Sequence, residues 1–218
     1  MNNIIIAIIN YNTNDYTNNC IKSILDKCSL KNYKILVFDN SDKINFDNIY
    51  KVDVIDNTES KIIDFSEYLK NAKEYTLNNY GSAKHTITID YMIKKIGVDN
   101  ILLFDSDTIL LRDIDFIDVK YITIADLIST TYSRFYNRRF LPFIQYFNCK
   151  KINDHKLDYY DKNRMLGVSK NDYLYDTGSS FYEDVLKLDS EFKRIKYKDY
   201  IIHYGRKSWD PEHKLKRK

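Results

Sequence analysis

Asp105-Ser106-Asp107 is the sharpest chemical signal in the sequence. It follows an apolar run, ILLF at residues 101–104, of the kind that forms a buried strand. Carboxylates at i and i+2 leave a strand end together, and a turn there can aim both at one point. Two hard oxygen donors suit Mg²⁺ or Mn²⁺, and such a metal commonly also takes substrate phosphates. The same spacing describes a solvated acidic turn; the strand directly before it, in a chain of βα type, favours the metal. Two more polar clusters follow apolar runs in the same way: residues 10–14 after IIIAII, and residues 39–42 after KILVF. Ligands of open α/β sheets bind beyond the carboxyl ends of the strands, so a parallel sheet would bring all three clusters to one edge.

The elements that must position them read as follows. Ile4 to Ile9 is a strand buried on both faces. After a polar turn, with Thr13 or Asp15 as cap, Tyr16, Cys20, Ile21, Ile24, Leu25 and Cys28 give one apolar helical face. Lys34 to Phe38 is the second strand, completing a β-α-β opening that asks for a parallel pair. A short strand over Val52 to Ile55, a helix from Ile62 to Ala72 and a helix from about Ser82 to Ile96, closed by Gly97, come before the strand at residues 101–104. Short strands are expected at residues 109–111, 121–124 and 143–147. Residues 150–170 read as irregular, 182–188 as a short helix and 194–203 as one strand.

Composition bounds the rest. The 218 residues carry 34 Lys+Arg against 31 Asp+Glu, a net charge of +3, which argues against a general nucleic-acid binder. A 44% hydrophobic content excludes a mostly disordered chain. Only 5 Gly and 2 Pro argue against linkers, so a single domain over 1–218 is expected, read as two halves, 1–112 and 113–218, the second ending in a basic tail. Cys20, Cys28 and Cys149 have no zinc-ligand spacing and read as free thiols in a reducing compartment. No apolar run is long enough to span a membrane, and the first residues lack the features of a signal peptide, so a cytoplasmic location is expected. Residues 193–218 hold 10 Lys+Arg and 3 Asp+Glu, a net of +7, so the near-neutral total hides an acidic body and a basic tail.

The segments IIIAIINYNTNDY (4–16), VFDNS (37–41) and LLFDSDTIL (102–110) resemble family-2-type glycosyltransferases of the GT-A fold. The likeness extends more thinly to DTGSSFYED (176–184) and IIHYGRKSW (201–209). It implies an α/β, Rossmann-like three-layer sandwich with a mostly parallel central sheet. It also implies a nucleotide-diphospho-sugar donor, UDP-linked by preference, Mn²⁺ or Mg²⁺, and transfer to a glycan or lipid-linked acceptor hydroxyl, with inversion. On this likeness Ile9, Asn10, Tyr11 and Asn12 line the nucleoside pocket, and Asp39 meets the base edge. Asn79, Gly81, Lys84 and His85 pass beside the nucleotide; Asp105 and Ser106 lie near the ribose. Asp105, Asp107 and His203 hold the metal, and Arg206 with Lys207 the diphosphate. For the base that takes the acceptor proton, Asp176 and Asp184 rank equal, with Glu183 behind.

Each assignment competes with a plainer one. Asp39 could cap a turn, His85 could be an exposed helix residue, His203 could be satisfied in the core, and Arg206 with Lys207 could be solvated charge. Glu183-Asp184 also suits the acidic start of a helix. Arg134, Arg138 and Arg139, interleaved with Phe135, Tyr136, Phe140 and Phe143, could receive an anionic or lipid-linked acceptor at a membrane surface, or form an ordinary packed loop. The basic tail offers a peripheral contact at the inner membrane face or a solubilising end. Two other functions fit the aspartates: a haloacid-dehalogenase-like phosphatase using Asp105 and Asp107, and a nucleotide- or glycan-binding module without activity.

Overall fold

The computed structural model describes residues 3–70, 80–129, 138–164, 176–188 and 191–205. Of the expected site residues, Asn79, Arg134, Arg206 and Lys207 lie outside these ranges, as do Phe135 and Tyr136.

The chain opens with strand β1 (Ile4–Asn10), helix α1 (Asn14–Lys27) and strand β2 (Tyr33–Asp39). Strand β3 (Asp53–Asp56) and the short helix α2 (Phe65–Leu69) follow. Helix α3 (Tyr80–Lys95) leads into β4 (Asn100–Asp105), and β5 (Thr108–Leu110) comes directly after. The second half supplies β6 (Thr123–Ser129), β7 (Arg138–Asn148), α4 (Cys149–Asp154), α5 (Ser179–Leu186), β8 (Phe192–Arg194) and β9 (Ile201–His203).

Seven strands form one sheet in the order β3-β2-β1-β4-β7-β6-β8, and β5 pairs with β9 in a separate ribbon. β7 alone runs against the other strands of the large sheet. From β1 the chain builds outward to β2 and β3, then returns to lay β4 on the other side of β1. That reversal is the switch point at which open α/β sheets bind ligands. Register then fixes the site: Asn10 pairs with Asp39, and Ile9 with Asp105. The three polar clusters therefore do meet on one edge.

The isoleucine run works because β1 is covered on both faces. Ile4, Ile6 and Ile8 pack with Cys20, Ile21 and Ile24 of α1. Ala7 and Ile9 face Ala83, Ile87 and Met92 of α3, together with Ile152 of α4 and Phe181 of α5. Each fully buried isoleucine contributes roughly 1.5–3 kcal/mol, so the strand position is strongly fixed. The result is the expected three-layer arrangement.

Four local expectations change. The helix expected from Ile62 begins only at Phe65, because the Asn57 carboxamide oxygen accepts the backbone N–H of Ile62 (2.8 Å) and Ile63 (2.6 Å), and Asp64 caps the helix by accepting from Ser66. Residues 149–154 form helix α4, started by Asn148, whose side chain accepts from Lys151 N–H at 3.0 Å. The single strand expected over 194–203 is broken: the Asp126 carboxylate accepts Tyr197 N–H at 3.2 Å, a 3₁₀ turn follows at Tyr197–Asp199, and β9 then leaves the large sheet for β5. Strand β7 is also longer than expected. Its pairing with β6 jumps from Gln145 opposite Ala125 to Phe140 opposite Leu127, and Pro142, which has no N–H to give a ladder, lies in that irregular stretch.

Candidate active site

The first shelf of the site is the loop after β1, locked to the loop after β2. Asn10 is fully buried and donates to Asp39 Oδ1 (2.9 Å) and Ser41 Oγ (3.0 Å), while its Oδ1 accepts from Thr13 (3.0 Å) and Thr17 (2.7 Å). Asp39, also buried, further accepts from Ser41 Oγ (2.6 Å) and Phe46 N–H (3.0 Å). Thr13 stands at the N-cap position of α1 but makes no capping bond, since its hydroxyl is turned to Asn10. Asn10 and Asp39 thus build the shelf from inside. Its outer surface is Tyr11 and Asn12, which donate to Asp42 at 2.7 and 2.6 Å. Asn12 has φ of 55°, a left-handed conformation that asparagine tolerates, and its side-chain oxygen accepts Lys43 N–H at 3.0 Å. The Tyr11 hydrogen bond is the leading influence holding the Asp42 carboxyl below the usual carboxylate range. Lys84 reaches across from α3, its Nζ 5.3 Å from the Tyr11 ring centroid, and desolvation depresses its pKa against the pull of Asp42.

The second element is the acidic pair at the end of β4. Ser106 is buried and accepts from Thr13 Oγ1 at 3.2 Å, and Thr108 Oγ1 donates to the Asp105 carbonyl at 2.7 Å, so the turn is pinned. The β5/β9 ribbon sets Thr108 opposite His203, and Tyr204 N–H donates to the Asp107 carbonyl at 3.0 Å. This places His203 Nε2 3.1 Å from Asp107 Oδ1 and 3.6 Å from Asp105 Oδ2. Phe143 stacks flat on the imidazole, with centroids 3.7 Å apart. One ligand atom from each of Asp105, Asp107 and His203 lies within 4.8 Å of the others.

The electrostatics mark this cluster as incomplete. Burial, then the charge of Asp107, pushes the Asp105 carboxyl up to about 7, with His203 opposing. Burial depresses the His203 imidazole, but its hydrogen bond to Asp107 and the two carboxylate charges outweigh that and raise its pKa. His85 Nε2 lies 3.4 Å from Asp105 Oδ1 without hydrogen-bond geometry, and burial pulls its pKa down to about 4 against the charges of Asp107 and Asp176. His85 Nε2, Asp105 Oδ1 and Asp107 Oδ2 are buried without hydrogen-bond partners among the described residues. Unmatched buried acceptors are costly. Two carboxylates with unmatched oxygens, beside the His203 imidazole, fit a divalent cation.

The other expected residues fall around this centre. Gly81 is exposed in the first turn of α3, and Ile9 is buried beside Asp105 in the strand register. Asp176 is ion-paired with Arg139, a partnership with no signal in sequence spacing. Its turn is fixed by Gly178, whose φ of +79° and 2.8 Å clearance from the Phe140 carbonyl leave no room for a side chain. Asp184 is held by Arg164 and by Lys187 (2.7 Å), and Arg164 Nη1 also lies 3.5 Å from Glu183. Against its own desolvation, those two cations hold the Asp184 carboxyl below its ordinary range. Arg164 was not foreseen from the sequence, nor was Phe143 as the platform for His203.

The sequence matches no protein-family model and no curated protein. Its fold, however, matches solved structures. The galactosyltransferase LgtC in complex with donor and acceptor sugar analogs superposes with a TM-score of 0.53 at 14% identity, over 89% of this chain and 74% of that one. Residues 1-349 of TarS from S. aureus match with a TM-score of 0.52 at 12% identity, over 95% of this chain and 62% of that one. Against the glycosyltransferase GlyE of Streptococcus pneumoniae the TM-score is 0.49 at 13% identity, and the chain spans 46% of GlyE's length. The architecture is the GT-A type. The phosphatase alternative is not favoured, because the aspartate pair follows the fourth strand, closes on a ribbon-borne histidine and sits in a GT-A sheet.

Proposed function

We propose that this chain is a metal-dependent glycosyltransferase that moves a sugar from a nucleotide-diphospho-sugar, UDP-linked by preference, to a hydroxyl of a glycan or lipid-linked acceptor. The observation that carries this is the Asp105–Asp107–His203 cluster, with its unpartnered buried carboxylate oxygens, at the switch point of a GT-A sheet. Those three side chains would hold Mn²⁺ or Mg²⁺, which when bound neutralises the charge developing on the leaving nucleotide diphosphate. Tyr11, Asn12 and Lys84 are the exposed or half-exposed groups of the neighbouring shelf, and they would meet the nucleoside directly. Asn10 and Asp39 would support the shelf from beneath.

Asp176 is the better-placed base for removing the acceptor proton in an inverting transfer. Its neighbour Thr177 lies 3.4 Å (Oγ1–Oγ1) from Thr86, the residue after His85, and its cation partner is Arg139, whereas Asp184 is engaged by both Arg164 and Lys187. Arg139 would fix the orientation of the Asp176 carboxylate. We place the reaction in surface-glycan assembly at the cytoplasmic face, with the basic residues after 205 against an anionic membrane.

A thermal-shift screen of UDP-, GDP-, CMP- and dTDP-compounds with Mn²⁺, followed by donor hydrolysis with and without EDTA, tests the proposal. Stabilisation by one nucleotide class and loss of at least about 100-fold in hydrolysis for Asp107→Ala are expected. Hydrolysis that survives EDTA or Asp107→Ala removes the metal role. No stabilisation by any nucleotide removes the donor.

A further inference from the structure

Beside the Asp105–Asp107–His203 cluster, a cleft of about 390 Å³ opens between the outer face of α1 and the β5/β9 ribbon. That volume lies within the range of about 300–1,000 Å³ common to small-molecule sites. Tyr16, Asn19, Lys22 and Asp26 of α1 form one wall; Tyr204 and the buried Asp107 contribute to the other. None of Tyr11, Asn12 and Lys84, the groups assigned to the nucleoside, lines it.

Its chemistry differs from that of the nucleotide shelf. The Tyr16 and Tyr204 rings lie 6.2 Å apart and are tilted by 52°, an aromatic corner with Tyr204 41% exposed. Lys22 holds the Asp26 carboxylate at 2.5 Å, and both side chains remain more than half exposed. The charges lining the cleft cancel, Lys22 and Lys27 against Asp26 and Asp107, so it has no excess positive charge for a phosphate. Amphipathic rings beside a carboxamide, an ammonium and a carboxylate instead suit a pyranose, whose C–H face packs on an aromatic ring while its hydroxyls exchange hydrogen bonds with polar side chains.

We infer that this cleft is a subsite for an uncharged sugar unit of the acceptor glycan, a role that rests on the sugar-transfer function proposed above. Asp107 belongs to both the cleft wall and the metal cluster, so the cleft adjoins the proposed reacting centre. Asn19 and Lys22 would supply hydrogen bonds to its hydroxyls.

The test is amide-resolved NMR on the whole chain, titrated separately with the methyl β-glycosides of glucose, galactose, N-acetylglucosamine and N-acetylgalactosamine, and with UDP plus Mn²⁺. At least one glycoside should shift the signals of residues 16–27, 107–109 and 204 and the Asn19 side-chain amide. Asn19→Ala and Lys22→Ala, each removing one hydrogen-bonding group, should weaken that glycoside about threefold to tenfold. Both positions are exposed on a helix, where alanine is the best helix former, and a conserved spectrum confirms that each variant is folded. Glycosides that leave these signals unmoved, or that bind both variants as tightly as the parent, overturn the subsite. UDP plus Mn²⁺ separates the two ideas. If it shifts the shelf at residues 11–12 and 84 while no glycoside reaches the cleft, only the subsite fails. If a glycoside fills the cleft and no nucleotide shifts the shelf, the cleft stands as a glycan site and sugar transfer fails.

Discussion

Replacing Asp105 with asparagine should stabilise the metal-free protein at neutral pH while removing its response to Mn²⁺. The Asp105 carboxyl rises from its ordinary value of 3.8 to about 7, chiefly through burial and next through Asp107. A carboxyl whose folded pKa lies above its unfolded value supports folding while protonated in both states, and that support is lost as pH climbs from about 4 through about 7. At about 1.36 kcal/mol per pH unit, the ionised Asp105 costs ~4 kcal/mol above pH ~7 and less than ~1 kcal/mol near pH 4. Asparagine removes that charge but leaves a buried amide beside His85, where Asp105 Oδ1 already lacks a partner. An unsatisfied polar group costs ~1–3 kcal/mol, so the net gain should be roughly 1–3 kcal/mol. For a chain of this length that is roughly 2–4 °C in Tm per kcal/mol. Unfolding of both proteins in EDTA, from about pH 4.5 to about pH 8, reads the difference, which includes the attraction between Asp105 and His203 that the substitution also removes. The same scans with Mn²⁺ should stabilise the parent by ~2.7 kcal/mol at a hundredfold excess over Kd, and the variant by much less. Equal stability of the two proteins in EDTA near pH 8 would refute the account of a strained, cation-seeking carboxylate pair.

Two further outcomes follow from the geometry. Gly178→Ala should cost ~2–4 kcal/mol, read by urea unfolding, because it places a Cβ 2.8 Å from the Phe140 carbonyl at a φ of +79°; an unchanged midpoint would show that the 176–178 turn is looser than described. Asp176→Asn should lower sugar transfer at least about 100-fold with little change in donor KM, whereas Asp184→Asn should act mainly on stability by removing one carboxylate partner of Arg164, which keeps Asp161; the reverse pattern in steady-state kinetics would move the base to α5.

Much of this protein is legible in its sequence. Continuous β-branched runs mark strands that are covered on both faces, and residues 4–9, 34–38 and 101–104 are β1, β2 and β4 with shifts of a residue or so. The polar residues that end those runs must lie at the carboxyl edge if the strands are parallel, so their convergence is also foreseeable. The Asp105-Ser106-Asp107 turn needs no distant partner to be recognised. Its meeting with His203 follows from a likeness of segments, but the contact itself is made by the β5/β9 ribbon. Other features depend wholly on which strands become neighbours. Asn10 and Asp39 are buried supports because β1 and β2 pair in one register, and a slip of one residue would turn them apart. Arg139 meets Asp176 only because β7 is inserted antiparallel beside β4 with an irregular stretch around Pro142. Arg164 captures Asp184 from a loop whose few apolar residues, Leu157, Tyr159 and Tyr160, have no helical or strand period to place it. Local pattern fixes which faces are apolar and where chains turn; the pairing order of the sheet decides which charges share a site.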